Sequence, residues 1–200
     1  MRAFQRTIDN PVTGERVTFL NTAEETGGEF VKSRVELAGR ASGTSMHYHL
    51  AFTETFEVLE GTLDVCIGGK KGHRILTPGE TAVVPRRVHH RFWNSSTQTS
   101  VFTIEIRPAQ HFEQALRAAC GLARDGKVNK VGIPTNIWEL ALVFQLAESF
   151  LPGAPLFLQK GLFGVLAAIA RQRGYDPAFS QYTRAKGGCE VNYSTMYMQP

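Results

Sequence analysis

The first 107 residues alternate apolar and polar side chains in short runs, and this pattern limits the fold more than any other feature of the sequence. The run FVKSRVEL (30–37) places its aliphatic residues on one face of an extended chain and its charged residues on the other. The runs TLDVCI (62–67) and VFTIEIR (101–107) alternate similarly, and turn-forming Gly, Pro and Asn residues separate them. About nine or ten strands of this length in about 100 residues indicate an antiparallel sandwich or small barrel.

The pattern changes from strand-like to helical after Pro108. The segment FEQALRAACGLARDG (112–126) has apolar residues at helical spacing. Asn136 is typical of a helix N-cap, so we expect a second helix to begin directly after it. The segment LPGAP (151–155) interrupts this helix, and a third helix is expected at about residues 156–171.

We therefore predict a mainly β protein with an α-helical appendage: a β-barrel domain at 1–107, then a helical extension and tail at 108–200. The helices around WELALVFQLAESF (138–150) and LFLQKGLFGVLAAIA (156–170) are apolar over most of their surface and should be buried. They could pack against the barrel, pair with each other, form a dimer interface, cover the barrel mouth as a lid or contact a membrane surface. The tail after about residue 175 has no clear pattern and is expected to be a loop or an edge strand.

Composition excludes several classes of protein. Lys and Arg number 22 against 18 Asp and Glu, a net charge of +4 that is typical of an ordinary surface rather than of a nucleic-acid-binding face. No apolar run reaches the roughly 20 residues of a membrane span, and the N-terminus lacks the apolar core of a secretory signal. The three cysteines, at 66, 120 and 189, have no metal-binding spacing and are typical of reduced thiols, so we expect a cytoplasmic protein.

Five of the six histidines fall between residues 47 and 90. His47 and His49 share one face of a strand because alternate residues of a strand point to the same side. Glu54 opens the next strand, and His90 lies in the alternating run RVHHRFW. Three imidazoles and one carboxylate inside a barrel predict a site for a divalent transition metal, with Fe, Mn, Ni and Zn as candidates.

Other residues near His90 are candidates for binding an organic ligand. Arg86, Arg87 and Arg91 flank it and indicate either an anionic ligand or a solvated rim or dimer salt bridge. Apolar side chains inside a barrel suit a small organic molecule or simply fill the core. The predicted substrate contacts are Arg87, Arg91, Phe56 and Phe92. The remaining histidines, at 73, 89 and 111, are expected to be exposed or structural.

Two segments resemble the motifs of the cupin superfamily, in particular bacterial proteins of the cupin-2 type. HYHLAFTETFEVLEG matches the first motif, His-x-His-x4-Glu-x6-Gly, at four positions: His47, His49, Glu54 and Gly61. GETAVVPRRVHHRFWN matches the second, Gly-x5-Pro-x4-His-x3-Asn, at Gly79, Pro85, His90 and Asn94. The second motif usually has a glycine where this chain has Arg87, which could alter the turn before His90.

The resemblance implies a double-stranded β-helix (jelly-roll) barrel, often homodimeric, with a metal held by His47, His49, Glu54 and His90. For an enzyme it suggests a quercetinase-like dioxygenase that binds a small organic molecule, with Glu54 also serving as a base. The alternatives are a non-catalytic module that senses a metal or small molecule, and a sugar-type isomerase or epimerase. In a cupin that had lost its metal, the four residues would be hydrogen-bonded polar core residues. Cupins host many activities, so the fold alone does not choose among these.

Overall fold

The computed structural model describes residues 5–183, which contain eleven β-strands and four α-helices. The strands are β1 (Thr7–Asn10), β2 (Glu15–Asn21), β3 (Val31–Leu37), β4 (Tyr48–His49), β5 (Thr53–Glu60), β6 (Leu63–Ile67), β7 (His73–Leu76), β8 (Thr81–Val84), β9 (His90–Trp93), β10 (Ser100–Arg107) and β11 (Ser149–Phe150). The helices are α1 (Phe112–Arg124), α2 (Ile137–Ala147), α3 (Leu156–Gln172) and α4 (Tyr175–Thr183).

The strands form one large and two small antiparallel sheets. The six-stranded sheet has the order β1-β2-β3-β10-β5-β8, the three-stranded sheet has the order β7-β6-β9, and β4 pairs with β11. The prediction of a mainly β protein followed by C-terminal helices is confirmed. β3 begins one residue after the start of the alternating run, and its aliphatic face is buried while its charged face is only partly covered.

The main core lies between the six-stranded and three-stranded sheets. Phe56 of β5 and Phe102 of β10 meet Phe92 of β9 there, and all three side chains are buried. Phe92 packs edge-to-face on both partners, with ring centroids 5.5 Å from Phe56 and 5.4 Å from Phe102. Such ring pairs add roughly 0.5–1.5 kcal/mol each to the hydrophobic gain of burial.

Helix α1 joins the sheets to the other helices because it has apolar residues on two sides. One side packs against the core between the sheets through Phe112, Leu116 and Cys120. The other side belongs to a second core among the helices through Ala115, Ala118 and Leu122.

A buried ion pair strengthens this junction. Arg117 and Glu113, one helical turn apart on α1, lie 2.9 Å from each other. Arg117 also donates to the carbonyl of Gln5 at 2.9 Å and stacks on the Phe19 ring, while Glu113 accepts from the backbone N–H of Ala23 at 3.3 Å. The helical part is therefore tied to the first strands through groups that are removed from water.

The α2 start is as predicted, and α2 and α3 pair with each other. The Asn136 side chain accepts from the backbone N–H groups of Trp138 and Glu139, at 2.9 and 3.4 Å. Phe144 of α2 stacks on Phe163 of α3 with ring centroids 4.3 Å apart. The expected burial of α3 is met on one side only, because its outer face leaves four large apolar side chains exposed: Phe157, Leu158, Leu162 and Val165.

Two features of the C-terminal part differ from the sequence expectation. The predicted tail begins later than expected, because α4 continues ordered structure to Thr183 and buries Phe179. Strand β11, between α2 and α3, has no counterpart in the prediction. Cys189 and the rest of the predicted tail lie outside the described residues. Among the described helices, none has the length and apolar character needed to cross a membrane.

Candidate metal centre

Three strands and one bridge position the four predicted ligands at the same end of the sheets. His49 lies in β4, Glu54 begins the core-facing positions of β5, and His90 is the first residue of β9. His47 precedes β4 and forms an isolated antiparallel bridge with His90. Because β5 belongs to the large sheet and β9 to the small one, the cluster lies where the two sheets meet.

The four side chains converge on a common point. One ligand atom from each lies within 4.8 Å of the others. The ring centroid of His47 is 4.8 Å from that of His49 and 4.3 Å from that of His90. The Glu54 Oε2 atom lies 2.8 Å from His90 Nε2. This is a grouping of donors that could hold one metal ion.

The atoms that point into the cluster lack hydrogen-bond partners within the described part of the chain. They are His49 Nε2, Glu54 Oε2 and His90 Nε2, and all three are buried. His90 Nε2 and Glu54 Oε2 are close enough for an ion pair but are not aligned as a hydrogen bond. Buried polar atoms are almost always satisfied, so these three fit a site that a metal ion completes.

The opposite ring nitrogen of each histidine faces a backbone carbonyl. His47 Nδ1 lies 2.7 Å from Ser45 O, and His90 Nδ1 lies 3.1 Å from Val88 O. His49 Nδ1 lies 3.2 Å from Glu148 O. A carbonyl oxygen can only accept, so in the neutral form of each ring Nδ1 carries the proton and Nε2 keeps its lone pair for the centre of the cluster.

Burial keeps two of the imidazoles neutral. Burial and the nearby His90 lower the pKa of His47 to about 4, against the opposing effects of Glu54 and the Ser45 carbonyl. Burial also lowers the pKa of His49 to about 3, against the opposing effect of Glu54. Neutral imidazole is the form that binds metal, so both rings are ready to act as ligands at neutral pH.

The pKa values of Glu54 and His90 are displaced in opposite directions. Burial raises the pKa of the Glu54 carboxyl, but the close His90 and the two other histidines outweigh it, so the net shift is downward. Burial lowers the pKa of His90, but Glu54 more than compensates, so the net shift is upward. Each group therefore favours the charged form of the other, and Glu54 is a carboxylate at neutral pH.

The other fixed positions of the two motifs serve the backbone. Gly61 and Gly79 have φ values of 73° and 87°, in the left-handed region that favours glycine. The buried Asn94 amide donates to three carbonyls, at 3.1, 3.2 and 2.8 Å: those of Leu37, Ala38 and Gln98. Its oxygen accepts from the backbone N–H of Ser96 at 3.1 Å and from the Ser96 hydroxyl at 2.8 Å. Asn94 thus closes the turn that follows β9.

The comparison with known families identifies this part of the chain. The profile of the family described as Cupin domain matches residues 33–106. Residues 33–106 are a cupin domain. The match includes all four candidate ligands and both motifs, and it covers β3 to β10 except for the first two residues of β3 and the last residue of β10.

Solved structures with a similar fold have different names. The sugar phosphate isomerase of Silicibacter pomeroyi is 22% identical over 54% of this chain and 73% of that chain, with a TM-score of 0.45. The polyketide cyclase of Streptomyces resistomycificus is 20% identical over 54% and 79%, with a TM-score of 0.44. A protein of Thermotoga maritima named as a predicted oxalate decarboxylase is 16% identical over 53% and 98%, with a TM-score of 0.46. Likenesses at this level do not select a reaction for this chain, and no curated protein matches it.

The residues predicted to contact substrate occupy different surroundings in the cupin domain. Phe56 and Phe92 face the core between the sheets and are buried. Arg87 is exposed, and its backbone N–H donates to the carbonyl of His49 at 2.6 Å. Arg91 alternates with His90 along β9 and stacks on Trp93, 4.5 Å from the ring centroid. Their contact with a substrate stays a prediction.

The histidines that were expected to be exposed or structural are not among the four residues of the cluster. His89 is exposed beside the Tyr48 ring. His73 is exposed and its Nε2 lies 2.9 Å from Asp64 Oδ1, while His111 precedes α1. Sequence reasoning missed the three carbonyls that face the ligands' Nδ1 atoms. The carbonyls of Ser45 and Val88 lie two residues before their histidines, so nearby sequence could have pointed to them. The Glu148 carbonyl is far from His49 in sequence and could not have been found in this way.

Proposed function

We propose that the cupin domain binds a divalent transition-metal ion through His47, His49, Glu54 and His90 and uses it to hold a small organic molecule. The observation that carries this proposal is the convergence of four ligand atoms within 4.8 Å of one another. The buried, unpartnered atoms of His49, Glu54 and His90 support it. A buried polar atom without a hydrogen bond or a metal ion destabilises the folded state.

The chemistry of the donor set fits Fe, Mn, Ni or Zn. Imidazole nitrogen suits all four, and the single carboxylate adds one negative charge. A bound ion of this kind supplies Lewis-acid chemistry and, for Fe, Mn or Ni, redox chemistry, with coordination positions left for a ligand. The chain itself supplies two neutral imidazoles, His47 and His49, and the ionised Glu54 carboxylate at neutral pH. The raised pKa of His90 means that a metal would displace any proton held on its Nε2.

An apolar side chain beside the cluster favours binding of an organic ligand at the metal over binding of water alone. The ring of Phe52 lies 4.2 Å from the ring of His49, and Phe52 is buried. Phe112 of the extension packs against Phe52 in turn, with ring centroids 5.7 Å apart. Ligand sites are commonly apolar with a few convergent polar groups, and the Phe52 ring gives the cluster one apolar side of this kind.

For a reaction, we propose a quercetinase-like dioxygenase in which Glu54 accepts a proton from a substrate hydroxyl. The carboxylate is ionised because its pKa lies below the ordinary value, so it can accept rather than donate. The buried Phe52 ring beside His49 would exclude water from that side of the cluster.

Elemental analysis of protein purified without chelator tests the metal site. We expect near-stoichiometric Fe, Mn, Ni or Zn in the wild type and none in the His47→Ala, His90→Ala double variant. The matched control is His89→Ala, which removes an exposed imidazole adjacent to His90 and should keep the metal. Folded wild-type protein without metal, even after reconstitution with each ion, would contradict the proposal.

Oxygen uptake with a flavonol such as quercetin tests the reaction. Turnover that requires the metal and is lost in the Glu54→Gln variant would support a dioxygenase with Glu54 as base. Turnover that survives complete metal removal would contradict it. Metal binding without turnover of flavonols would favour the alternative of a non-catalytic sensing module. Sedimentation of the same samples tests the homodimer that the resemblance implies.

A further inference from the structure

The C-terminal extension reaches the metal-ligand cluster through strand β11. Ser149 pairs with His49 and Phe150 pairs with Tyr48, so β11 adds a second strand to the two-residue β4. Phe150 is buried, and its ring centroid lies 5.8 Å from that of Tyr48. A candidate ligand is therefore paired with a segment that follows it by 100 residues.

Two groups of this segment face the outer nitrogen of His49. The carbonyl oxygen of Glu148 lies 3.2 Å from His49 Nδ1, and the Ser149 hydroxyl lies 3.5 Å from the same atom. Glu148 ends helix α2 with a φ of 45°, a left-handed conformation that costs free energy for a residue with a side chain. That conformation ends the helix and leads the chain directly into β11 beside His49.

His49 differs from the other two histidines in the origin of its carbonyl partner. His47 and His90 use carbonyls two residues away, so each ring is oriented by its own strand. The partner of His49 lies 99 residues away in sequence. The tautomer and orientation of His49 therefore depend on the packing of the extension, whereas those of His47 and His90 do not.

The segment after β11 is held firmly by one buried side chain. Gln159 of α3 accepts from the Leu151 N–H at 2.9 Å and donates to the carbonyls of Leu151 and Ala154, both at 2.9 Å. These bonds fix the loop between β11 and α3 against the helix. The Glu148 carbonyl is thus presented by a secured turn rather than by a free loop.

We propose that the C-terminal extension positions His49 for metal binding, so that metal affinity and the docking of β11 are energetically coupled. This inference rests on the proposed metal site. Partners that orient a ligating histidine typically change metal affinity by about 10- to 100-fold. Coupling between two sites is reciprocal, so a bound metal must also strengthen the docking of β11.

The first test is the tautomer of His49 in the metal-free, full-length protein, measured by 15N NMR of the imidazole nitrogens. We expect the Nδ1–H form for His49. The Nε2–H form would overturn the inference, whether or not the protein binds metal. This measurement uses the wild type and does not depend on the folding of any variant.

The second test is the affinity for Co²⁺, used as a spectroscopic probe, in the Ser149→Pro variant. Proline at 149 disfavours the left-handed conformation of Glu148 and removes the backbone N–H of residue 149, so it displaces the carbonyl. We expect the affinity to fall about 10-fold or more. The matched control is Asn136→Ala, which weakens the same extension at the α2 N-cap without touching His49 and should bind Co²⁺ like the wild type.

The outcomes separate this inference from the proposed function. Wild-type protein that fails to bind Co²⁺ contradicts the metal site itself. Equal affinities of wild type and a folded Ser149→Pro variant overturn the positioning role while leaving the metal site intact. If that variant does not fold, hydrogen exchange of the wild type decides the coupling: Co²⁺ should slow amide exchange at residues 148–150, and unchanged exchange there would overturn it.

Discussion

His47 and His90 face each other across an antiparallel bridge in which each backbone N–H donates to the other residue's carbonyl, at 3.0 and 2.8 Å. The two residues come from separate parts of the cupin domain, 43 positions apart in the sequence. Their backbones are therefore locked together before any metal is considered. The ring centroids lie 4.3 Å apart as a result, and both Nε2 lone pairs are available to the same point.

Metal binding is expected to stabilise the folded chain, because the ligands converge only when the sheets are packed. An ion present at about 100 times its dissociation constant should add about 2.7 kcal/mol to the free energy of unfolding. Urea unfolding with and without Zn²⁺ measures this difference. The His90→Ala variant should lose most of the gain and His89→Ala should keep it, whereas equal gains in both variants would exclude His90 as a ligand.

Acid should destabilise the metal-free protein. His47 and His49 have pKa values of about 4 and about 3 in the fold, whereas the unfolded chain takes up these protons near pH 6.5. Protons then favour the unfolded state, so the free energy of unfolding falls as the pH drops below about 6.5. His90 acts in the opposite direction, because Glu54 outweighs burial and raises its pKa, but it is one group against two.

Urea midpoints at pH 7 and pH 5, in the presence of a chelator, test this pH dependence. The midpoint of the wild type should be lower at pH 5. The His47→Gln, His49→Gln double variant should lose most of that difference, while the lowered pKa of His111 contributes to both proteins alike. A double variant as acid-sensitive as the wild type would show that other groups cause the effect.

Replacing Arg87 with glycine should stabilise the protein. Arg87 has a φ of 65°, a left-handed conformation that costs about 1–2 kcal/mol for a residue with a side chain. Glycine removes this cost, but its greater freedom in the unfolded chain lowers the free energy of unfolding by about 0.5–1 kcal/mol. The expected net gain is about 0.5–1 kcal/mol in the free energy of unfolding. Arg86→Gly is the matched control, because Arg86 is also exposed but is not among the residues with positive φ, so it should lose stability. A loss in both variants would contradict the strain at Arg87.

Asn94→Ala should destabilise the fold without removing a ligand. The substitution leaves three carbonyls without the donor that reaches them and also ends the two bonds from Ser96. Since leaving a buried group unpaired costs about 1–3 kcal/mol, we expect a loss of at least about 2 kcal/mol. Metal content per folded molecule should remain that of the wild type. Lost metal in a folded Asn94→Ala protein would instead give Asn94 a role at the site.

The sequence by itself determined the features that depend on near neighbours. Alternation predicted β3 to within one residue of its observed start, because a strand with one buried face repeats every two residues. The same rule placed His47 and His49 on one side of the chain. Asn136 was recognisable as a helix cap because a cap acts on the N–H groups two and three residues ahead.

Only the tertiary structure decided the contacts between distant segments. Alternation did not foresee that Asp64 on β6 would be buried, which is possible because Ser95 and His73 satisfy its carboxylate. Nor did it foresee that α3 would expose an apolar face, since burial depends on which helix packs against which. No repeating pattern in the sequence predicts that Ser149 pairs with His49, because the two residues are 100 positions apart. It exists because the helical core holds α2 and α3 where the turn at Glu148 meets β4, and that geometry is a property of the packed chain.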